Sequence, residues 1–360
     1  MIELYKYQLP FKNPFVTGKG EFHHREGVLV RYSDHSGEVL TEASPLPGFS
    51  KESIDSISGV LKEKQNELNE FLSKPFTIQN LQEILEDFPN LPSLQFALSF
   101  LGLQILSKRK DQSLYELFDC QKIPNIQVNE IIPIQDLESS LLYFKKSRNQ
   151  GFKTFKLKCG FPVDSQIQIL SKLRQNSDHE LKFRLDANQS WPVKQTLSTI
   201  QMLEPFDIEY IEEPFKWHDL EVFKKISAQS PIPLALDESI QNIEHLKTLL
   251  RELPENFLVI KPMLLGNLID LFETIRGERT HFNRIVVTTT LESSIGRTMA
   301  ASAATLIGDP NLAHGLNTGY LFHSDLSDDP EIVRGEINVP KSGFRNFKLN
   351  DLNQSLLSKF

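Results

Sequence analysis

The sequence predicts an α/β fold, with a barrel of alternating strands and helices behind a smaller α+β domain. Three observations predict it. After about residue 123, eight short apolar runs alternate with helical stretches over roughly 200 residues, the length of a (β/α)₈ barrel. Five of those runs close on an ionisable residue, Lys158, Asp186, Glu212, Asp237 and Lys261, at nearly even intervals. No GxGxxG or P-loop sequence follows any run, so a doubly wound open sheet is the weaker reading.

Each element has a local cause. Residues 1 to about 45 alternate as strands do, and GVLVRYSD (27–34) with GEVLTEAS (37–44) reads as a hairpin around Ser36-Gly37. Helical spacing begins near residue 50. Ser50 and Ser53 are N-cap candidates, and Ile54, Ile57, Val60 and Leu61 keep one face. Pro75, Pro89 and Pro92 divide the stretch into separate helices, and SLQFALSFLGLQILSKRK (93–110) is apolar enough to be buried. The expected barrel strands are IQVNEI (126–131), FKTFKLK (152–158), LKFRLD (181–186), IEYIEE (208–213), IPLALD (232–237), FLVIK (257–261), RIVVTTT (284–290) and LAHGL (312–316). The expected domains are 1–120 and 121–324. The irregular tail 325–360, with SDLSDDP and KSGF near it, is expected to pack back on the first domain.

Composition narrows the class. Hydrophobic residues are 39% and charged residues 24% of the 360, as in soluble globular proteins. A formal charge of −8 with no Lys/Arg run argues against a nucleic-acid partner. MIELYKYQLPF lacks the pattern of a signal peptide, and no apolar stretch is long enough to span a membrane. Cys120 and Cys159 cannot form a disulfide framework, so a reducing cytoplasm is the expected compartment.

The charges carry the chemistry. Strand residues two apart share a face, so Lys156 lies with Lys158, and Arg184 with Asp186. Singly, such residues are solvated strand faces or turn caps. Five in phase on consecutive units place an active site at the C-terminal mouth of a barrel. Three carboxylates from adjacent strands suit Mg²⁺, and the flanking lysines offset the excess negative charge and attract an anionic substrate. A lysine partly buried beside a metal and a second lysine is expected to have a lowered pKa and to act as a base. The set fits abstraction of a proton α to a carboxylate.

GFKTFKLKCG (151–160), RLDANQSW (184–191), IEYIEEPF (208–215), LALDES (234–239) and VIKP (259–262) together resemble the enolase superfamily. Lysines on both the second and sixth strands place the likeness in its muconate-lactonising-type subgroup. A Lys or His base with Mg²⁺ is general to that superfamily and is carried over from it. The resemblance covers essentially the whole chain. It implies a (β/α)₇β modified TIM barrel with an N-terminal α+β capping domain, and it makes PLPGFS (45–50) a substrate-facing loop. It implies Asp186, Glu212 and Asp237 as ligands of one Mg²⁺ per chain, replaceable by Mn²⁺. Lys158 and Lys261 become the acid/base pair, with Asn188 and Glu238 orienting the ligands and Glu213 left outside. Expected substrate contacts are Lys156, Arg184, Ser293 and Ser294, the serines lying in TTTLESSIG (288–296) near a helix start suited to a carboxylate.

Within the subgroup the chain is most similar to the o-succinylbenzoate synthase family of menaquinone biosynthesis. That likeness implies dehydration of a succinyl-hydroxycyclohexadiene carboxylate through an enediolate. The stretch HGLNTGYLF (314–322) lacks the Asp-x-Asp by which dipeptide epimerases hold a substrate ammonium. The rivals are an N-succinylamino-acid racemase or dipeptide epimerase of the same superfamily, a Schiff-base aldolase using Lys261, and a non-catalytic barrel. His23-His24 are expected to be loop residues rather than a metal site, and His314 a packed or solvated histidine.

Overall fold

The alternating N-terminal stretch forms a long antiparallel hairpin. The computed structural model describes residues 1–17, 20–121, 123–133, 136–177, 180–278, 284–340, 343–344 and 346–360. Strand β1 (Ile2–Thr17) pairs with β2 (Gly20–Asp34), and β2 with β3 (Gly37–Ala43), in register from Val28 opposite Ala43 to Asp34 opposite Gly37. The turn is local chemistry. Ser36 N donates to Asp34 Oδ1 at 2.8 Å, and Gly37 adopts φ +123°, which favours glycine. His23 and His24, expected in a loop, lie on β2.

Three helices follow, two of them packed on this sheet. Helix α1 (Ile54–Ser73) starts at a Ser53–Ser56 capping box and buries Ile57 and Leu61. Ser50, the other cap candidate, instead accepts a hydrogen bond from Leu46 N at 2.8 Å within loop 45–50. Helix α2 (Ile78–Leu85) is capped by Thr77. Helix α3 (Pro92–Lys110) opens on proline and, apart from Gln95, is buried from Ser93 to Leu106. It packs against β2, β3 and α2 on one side. On the other it meets two barrel helices, Pro262–Leu265 and Leu268–Gly277. A short α4 (Leu114–Leu117) follows.

The β/α alternation then begins. Its elements in order are β4 (Asn125–Gln127), β5 (Glu130–Ile132), α5 (Leu137–Asn149), β6 (Thr154–Lys158), α6 (Asp164–Gln175), β7 (Lys182–Asp186) and α7 (Thr196–Leu203). They continue as β8 (Ile208–Glu212), α8 (Leu220–Ser227), β9 (Leu234–Leu236), α9 (Ile243–Glu252), β10 (Phe257–Ile260), α10 (Pro262–Leu265), α11 (Leu268–Gly277), β11 (Ile285–Val287) and α12 (Ser294–Ile307). Strands β5 to β11 form one parallel sheet in sequence order. Outward residues such as Phe155, Phe183 and Ile211 join the main core under the helices. Inward Tyr210, Ala235, Val259 and Val286 form a separate small core with Phe257 and Leu312.

The eighth expected strand, 312–316, is reduced to two parallel bridges. One joins Val128 to His314 and the other Thr288 to Gly315. The circle closes there, with Asn129 N donating to His314 O at 3.0 Å and Gly315 N to Val287 O at 2.9 Å. The His314 ring is packed into this seam, its Nδ1 accepting from Val287 N at 2.9 Å. The architecture is therefore a (β/α)₇β-type barrel under an antiparallel cap. The C-terminal residues form a hairpin, β12 (Ile332–Val333) with β13 (Glu336–Asn338), which pairs with β4. A last strand, β14 (Leu357–Lys359), pairs with β1. Of KSGF, residues 341 and 342 lie outside the described residues. No helix among the described residues is long and apolar enough to cross a membrane.

Candidate active site

Strand register brings the charges together. Lys158 pairs with Asp186 across β6 and β7, and Asp186 with Glu212 across β7 and β8, so three strand ends present them side by side. Asp237 and Lys261 directly follow β9 and β10. Lys158 Nζ lies 2.7 Å from Asp186 Oδ2 and 2.7 Å from Asn188 Oδ1, while Lys261 Nζ lies 2.6 Å from Asp237 Oδ2. Lys158 keeps 57% of its side chain exposed against 19% for Lys261, so Lys158 is the freer of the two at the mouth.

Lys156 has a different task from the substrate contact expected of it. It lies one layer deeper and donates to both oxygens of Glu212, at 2.7 and 2.8 Å, with Asp186 Oδ2 at 3.0 Å. Its ammonium is engaged with carboxylates, because a side chain two residues below the strand end points into the barrel instead of out of it. Burial pushes the Asp186 carboxyl up, but Lys156 and Lys158 outweigh burial and hold it well below the usual range. Burial pushes Glu212 up; Lys156 opposes this, while Asp186 and Asp237 add to it. Burial pulls Lys261 down, yet Asp237 and Glu238 hold it above its usual value. Among the protein groups alone, the sign at Lys261 is opposite to the lowered lysine pKa suggested by the sequence.

Asn188 and Glu238 stand beside this row, with Asn188 exposed at the mouth. Asn188 N donates to Asp186 Oδ1 at 3.1 Å, and Asn188 Nδ2 donates to Glu238 Oε1 at 2.7 Å. One residue therefore touches Lys158, Asp186 and Glu238. Glu213, which the resemblance leaves outside the ligand set, lies behind the strand ends. Its carboxylate accepts from Asp237 N at 2.8 Å and from Ser239 N at 2.7 Å. The only signal was a second acidic residue where strand alternation calls for an apolar one.

Three expected substrate contacts are engaged elsewhere. Arg184 is fully buried below the mouth; its Nε donates to Glu209 at 2.6 Å and its Nη1 to Ala313 O at 2.7 Å, with the guanidinium over the Tyr210 ring. The anion at the start of α12 is Glu42 of the cap. Ser293 N and Gly296 N donate to it at 3.1 and 3.0 Å, and the Ser293 hydroxyl donates to it as well. Ser294 N donates to Asp325 at 2.9 Å, and its Oγ accepts from Ser327 N at 3.0 Å. The helix N-terminus attracts a carboxylate as its dipole demands, but the carboxylate belongs to the chain itself.

The family described as "Enolase C-terminal domain-like" matches residues 143–344, and "MenC, N-terminal domain" matches residues 1–104. The chain belongs to the enolase superfamily. Among superfamily relatives, it is 23% identical to an N-succinyl-L-Arg/Lys racemase of Bacillus cereus, over 74% of this chain and 73% of the relative. It is 24% identical to a D-Ala-D/L-Ala epimerase of Cytophaga hutchinsonii, covering 95% and 93%. It is 25% identical to an o-succinylbenzoate synthase of Desulfotalea psychrophila, covering 92% and 96%. The B. cereus N-succinyl Arg/Lys racemase structure superposes with a TM-score of 0.80 at 20% identity, over 94% of this chain and 92% of that one. The o-succinylbenzoate synthase of Thermosynechococcus elongatus, solved with Mg in its active site, gives 0.70 at 23%, over 90% and 94%.

The residues of this superfamily member fit a hard divalent cation. All three candidate donors are carboxylates on adjacent strand ends, the chemistry Mg²⁺ selects. Glu238 Oε2 beside them is buried with no hydrogen-bond partner among the described residues. No ready-made group of three ligands converges among the described residues. The ammonium groups of Lys156, Lys158 and Lys261 stand against the carboxylate oxygens, and a cation would take over part of those contacts.

A cleft of about 630 Å³ opens over Asp237, Glu238 and Lys261, roofed by Phe49, Ser50 and Lys51 of the cap. That size suits a small organic acid. Loop 45–50 thus borders the same cleft as Lys261. A larger hollow of about 960 Å³, along β1 and residues 355–358, contains none of the strand-end charges. His23 and His24 have ring centroids 6.4 Å apart, and His23 lies 3.5 Å from Glu21, which suits a surface strand.

Proposed function

We propose that this chain is a Mg²⁺-dependent o-succinylbenzoate synthase, a carbon–oxygen lyase acting on a small anionic succinyl-hydroxycyclohexadiene carboxylate. The observation that carries the reading is the pair Lys158 and Lys261, on the second and sixth barrel strands, flanking three strand-end carboxylates. The match of residues 1–104 to the MenC N-terminal domain supports the choice of substrate.

Asp186, Glu212 and Asp237 would hold Mg²⁺, which when bound supplies positive charge to the substrate carboxylate and acidifies the α-proton. Lys158, as a neutral amine, takes that proton. Its Nζ is aimed by Asp186 and Asn188, both at 2.7 Å. The resulting ammonium returns the proton to the departing hydroxyl. The C–O bond breaks, water leaves, the ring becomes aromatic and the amine is regenerated. Lys261, less exposed and held by Asp237, supplies fixed positive charge to the enediolate. Loop 45–50 excludes water from above.

A second reading keeps the same lysines. An N-succinylamino-acid racemase would place one on each face of the α-carbon, and the similarity to the B. cereus racemase favours it. Purified protein assayed with Mg²⁺ against both substrates separates the two. Formation of o-succinylbenzoate, lost on chelation, is expected. Racemisation of N-succinylamino acids without any dehydration would overturn the leading reading.

A further inference from the structure

We infer that Glu213 is a positioning residue: its buried carboxylate spaces the strand-end turns that carry Asp186, Glu212 and Asp237, and so sets the affinity of the metal site. This rests on the reading of those three residues as ligands. Strand alternation turns Glu213 away from the barrel axis, toward the layer where barrel strands meet their helices and apolar side chains are the rule. A carboxylate 1% exposed in that layer needs donors. Its Oε1 accepts from Asp237 N at 2.8 Å and Ser239 N at 2.7 Å, and its Oε2 from Ser239 Oγ and Gln189 Nε2, both at 2.9 Å.

These donors lie on the turns after β7 and β9, on either side of Glu213. Main-chain bonds reinforce the same three-way junction. Gln189 N donates to Glu213 O at 2.7 Å, and Glu213 N donates to Ala235 O at 2.9 Å. The turns held this way are strained. Asn188, Gln189 and Glu213 have φ of +45°, +59° and +42°, a region non-glycine residues keep only when their surroundings enforce it. Asp186 and Glu212 are register partners on adjacent strands and share Lys156, whereas among the described residues no side chain joins Asp237 to either. The place of Asp237 relative to them is therefore set from behind the strands. Glu213 bonds the main-chain amide of Asp237 itself, and it follows Glu212 in the chain.

The test compares Glu213→Ala and Glu213→Gln. Mn²⁺ binding is titrated by electron paramagnetic resonance on protein shown to be folded by circular dichroism. Amide hydrogen exchange of Asp237 and Ser239 is read in the metal-free protein. Loss of a group that orients metal ligands costs about 10–100-fold in affinity. Glu213→Ala should weaken Mn²⁺ binding by about that factor and deprotect both amides. Glu213→Gln, which keeps an acceptor oxygen, should recover most of both. If Glu213→Ala does not fold, Ser239→Ala should still weaken Mn²⁺ binding by a few-fold. Wild-type Mn²⁺ affinity in Glu213→Ala, or in Ser239→Ala where that stands in, would overturn the proposal. So would undisturbed protection of the two amides. If the wild-type protein itself takes up no Mn²⁺, the metal reading fails, and the exchange measurement still decides whether Glu213 positions the turns.

Discussion

Glu42 and Glu212 are both fully buried carboxylates, yet their partners differ in kind. Glu42, at the seam between cap and barrel, is held by neutral donors: Tyr7 Oη at 2.6 Å, Ser44 Oγ at 2.7 Å, and the Ser293 and Gly296 amides of α12. Gly296 is required there, since a Cβ would stand 2.9 Å from the Glu42 carboxyl carbon. Glu212, at the barrel mouth, is held by the ammonium of Lys156, in a row with two more carboxylates that lean on Lys158 and Lys261. Backbone dipoles cannot leave their acceptor, whereas lysine stems can swing and exchange a proton or a cation. The seam is built to stay as it is, and the mouth is built to change partners.

The largest break in this comparison is Lys158→Ala. Turnover should fall about 10³-fold or more, the usual scale for a lost general base, while Mg²⁺ affinity and the melting temperature stay near wild type in calorimetry. Chelation comes next. EDTA should abolish turnover and lower the melting temperature, and Mg²⁺ or Mn²⁺ should restore both, as expected for a ligand bound only by the folded state. Activity that survives exhaustive chelation would remove the metal from the account. Glu42→Ala acts on the other side of the comparison. Stripping the buried donors of α12, Tyr7 and Ser44 should cost about 2–4 kcal/mol in urea unfolding, with the Mn²⁺ dissociation constant within about twofold of wild type.

The smallest expected effect lies in the pH dependence of stability. Glu52 also caps a helix start, accepting from Ser93 N of α3 at 2.8 Å, but its Oε2 has no partner among the described residues. Burial pushes its carboxyl up to about 7, against the Ser93 bonds. The folded state therefore binds the proton more tightly than the unfolded chain. Stability from this group is full below the unfolded value near 4.5 and is lost as pH rises through about 7. Glu52→Gln should flatten that slope by about 1 kcal/mol per pH unit between pH 5 and 7, measured by urea midpoints. An unchanged slope would mean that Glu52 ionises as freely in the fold as outside it.

What could be read from the sequence followed the range of the forces involved. The order Lys158, Asp186, Glu212, Asp237, Lys261 was legible because strand alternation and β/α spacing are short-range patterns. Lys156 and Lys158 look alike in KLK, and only depth in the barrel separates an ammonium buried between carboxylates from one exposed at the mouth. Arg184 was misread for the same reason: it faces the axis one layer below the mouth. The start of α12 reads in the sequence as a place for a substrate carboxylate; the carboxylate there is Glu42, 251 residues earlier, and no local pattern points to it. LAHGL was legible as a strand, yet its closure through two bridges depends on the His314 ring accepting from Val287 N, a tertiary contact. Glu213 carried its one clue in the doubled acid of IEEP, and its partners appear only when three turns converge.

Helix α3 has a consequence for how the molecule could be altered. Apart from Gln95, each of its residues from Ser93 to Leu106 is buried, with the cap sheet on one flank and α10 and α11 of the barrel on the other. Leu81 of the cap lies against Gly102, and Ser99 Oγ accepts from Leu268 N of the barrel at 3.1 Å. A rod shared by two layers in this way makes them melt as one unit, and it makes the cap a poor candidate for transplantation. Grafting the cap of a racemase relative onto this barrel would replace one wall of the barrel's own core along with the loop over its mouth. A change of specificity made by that route would be paid for in folding, whereas exchange of residues 45–50 alone would leave the rod in place.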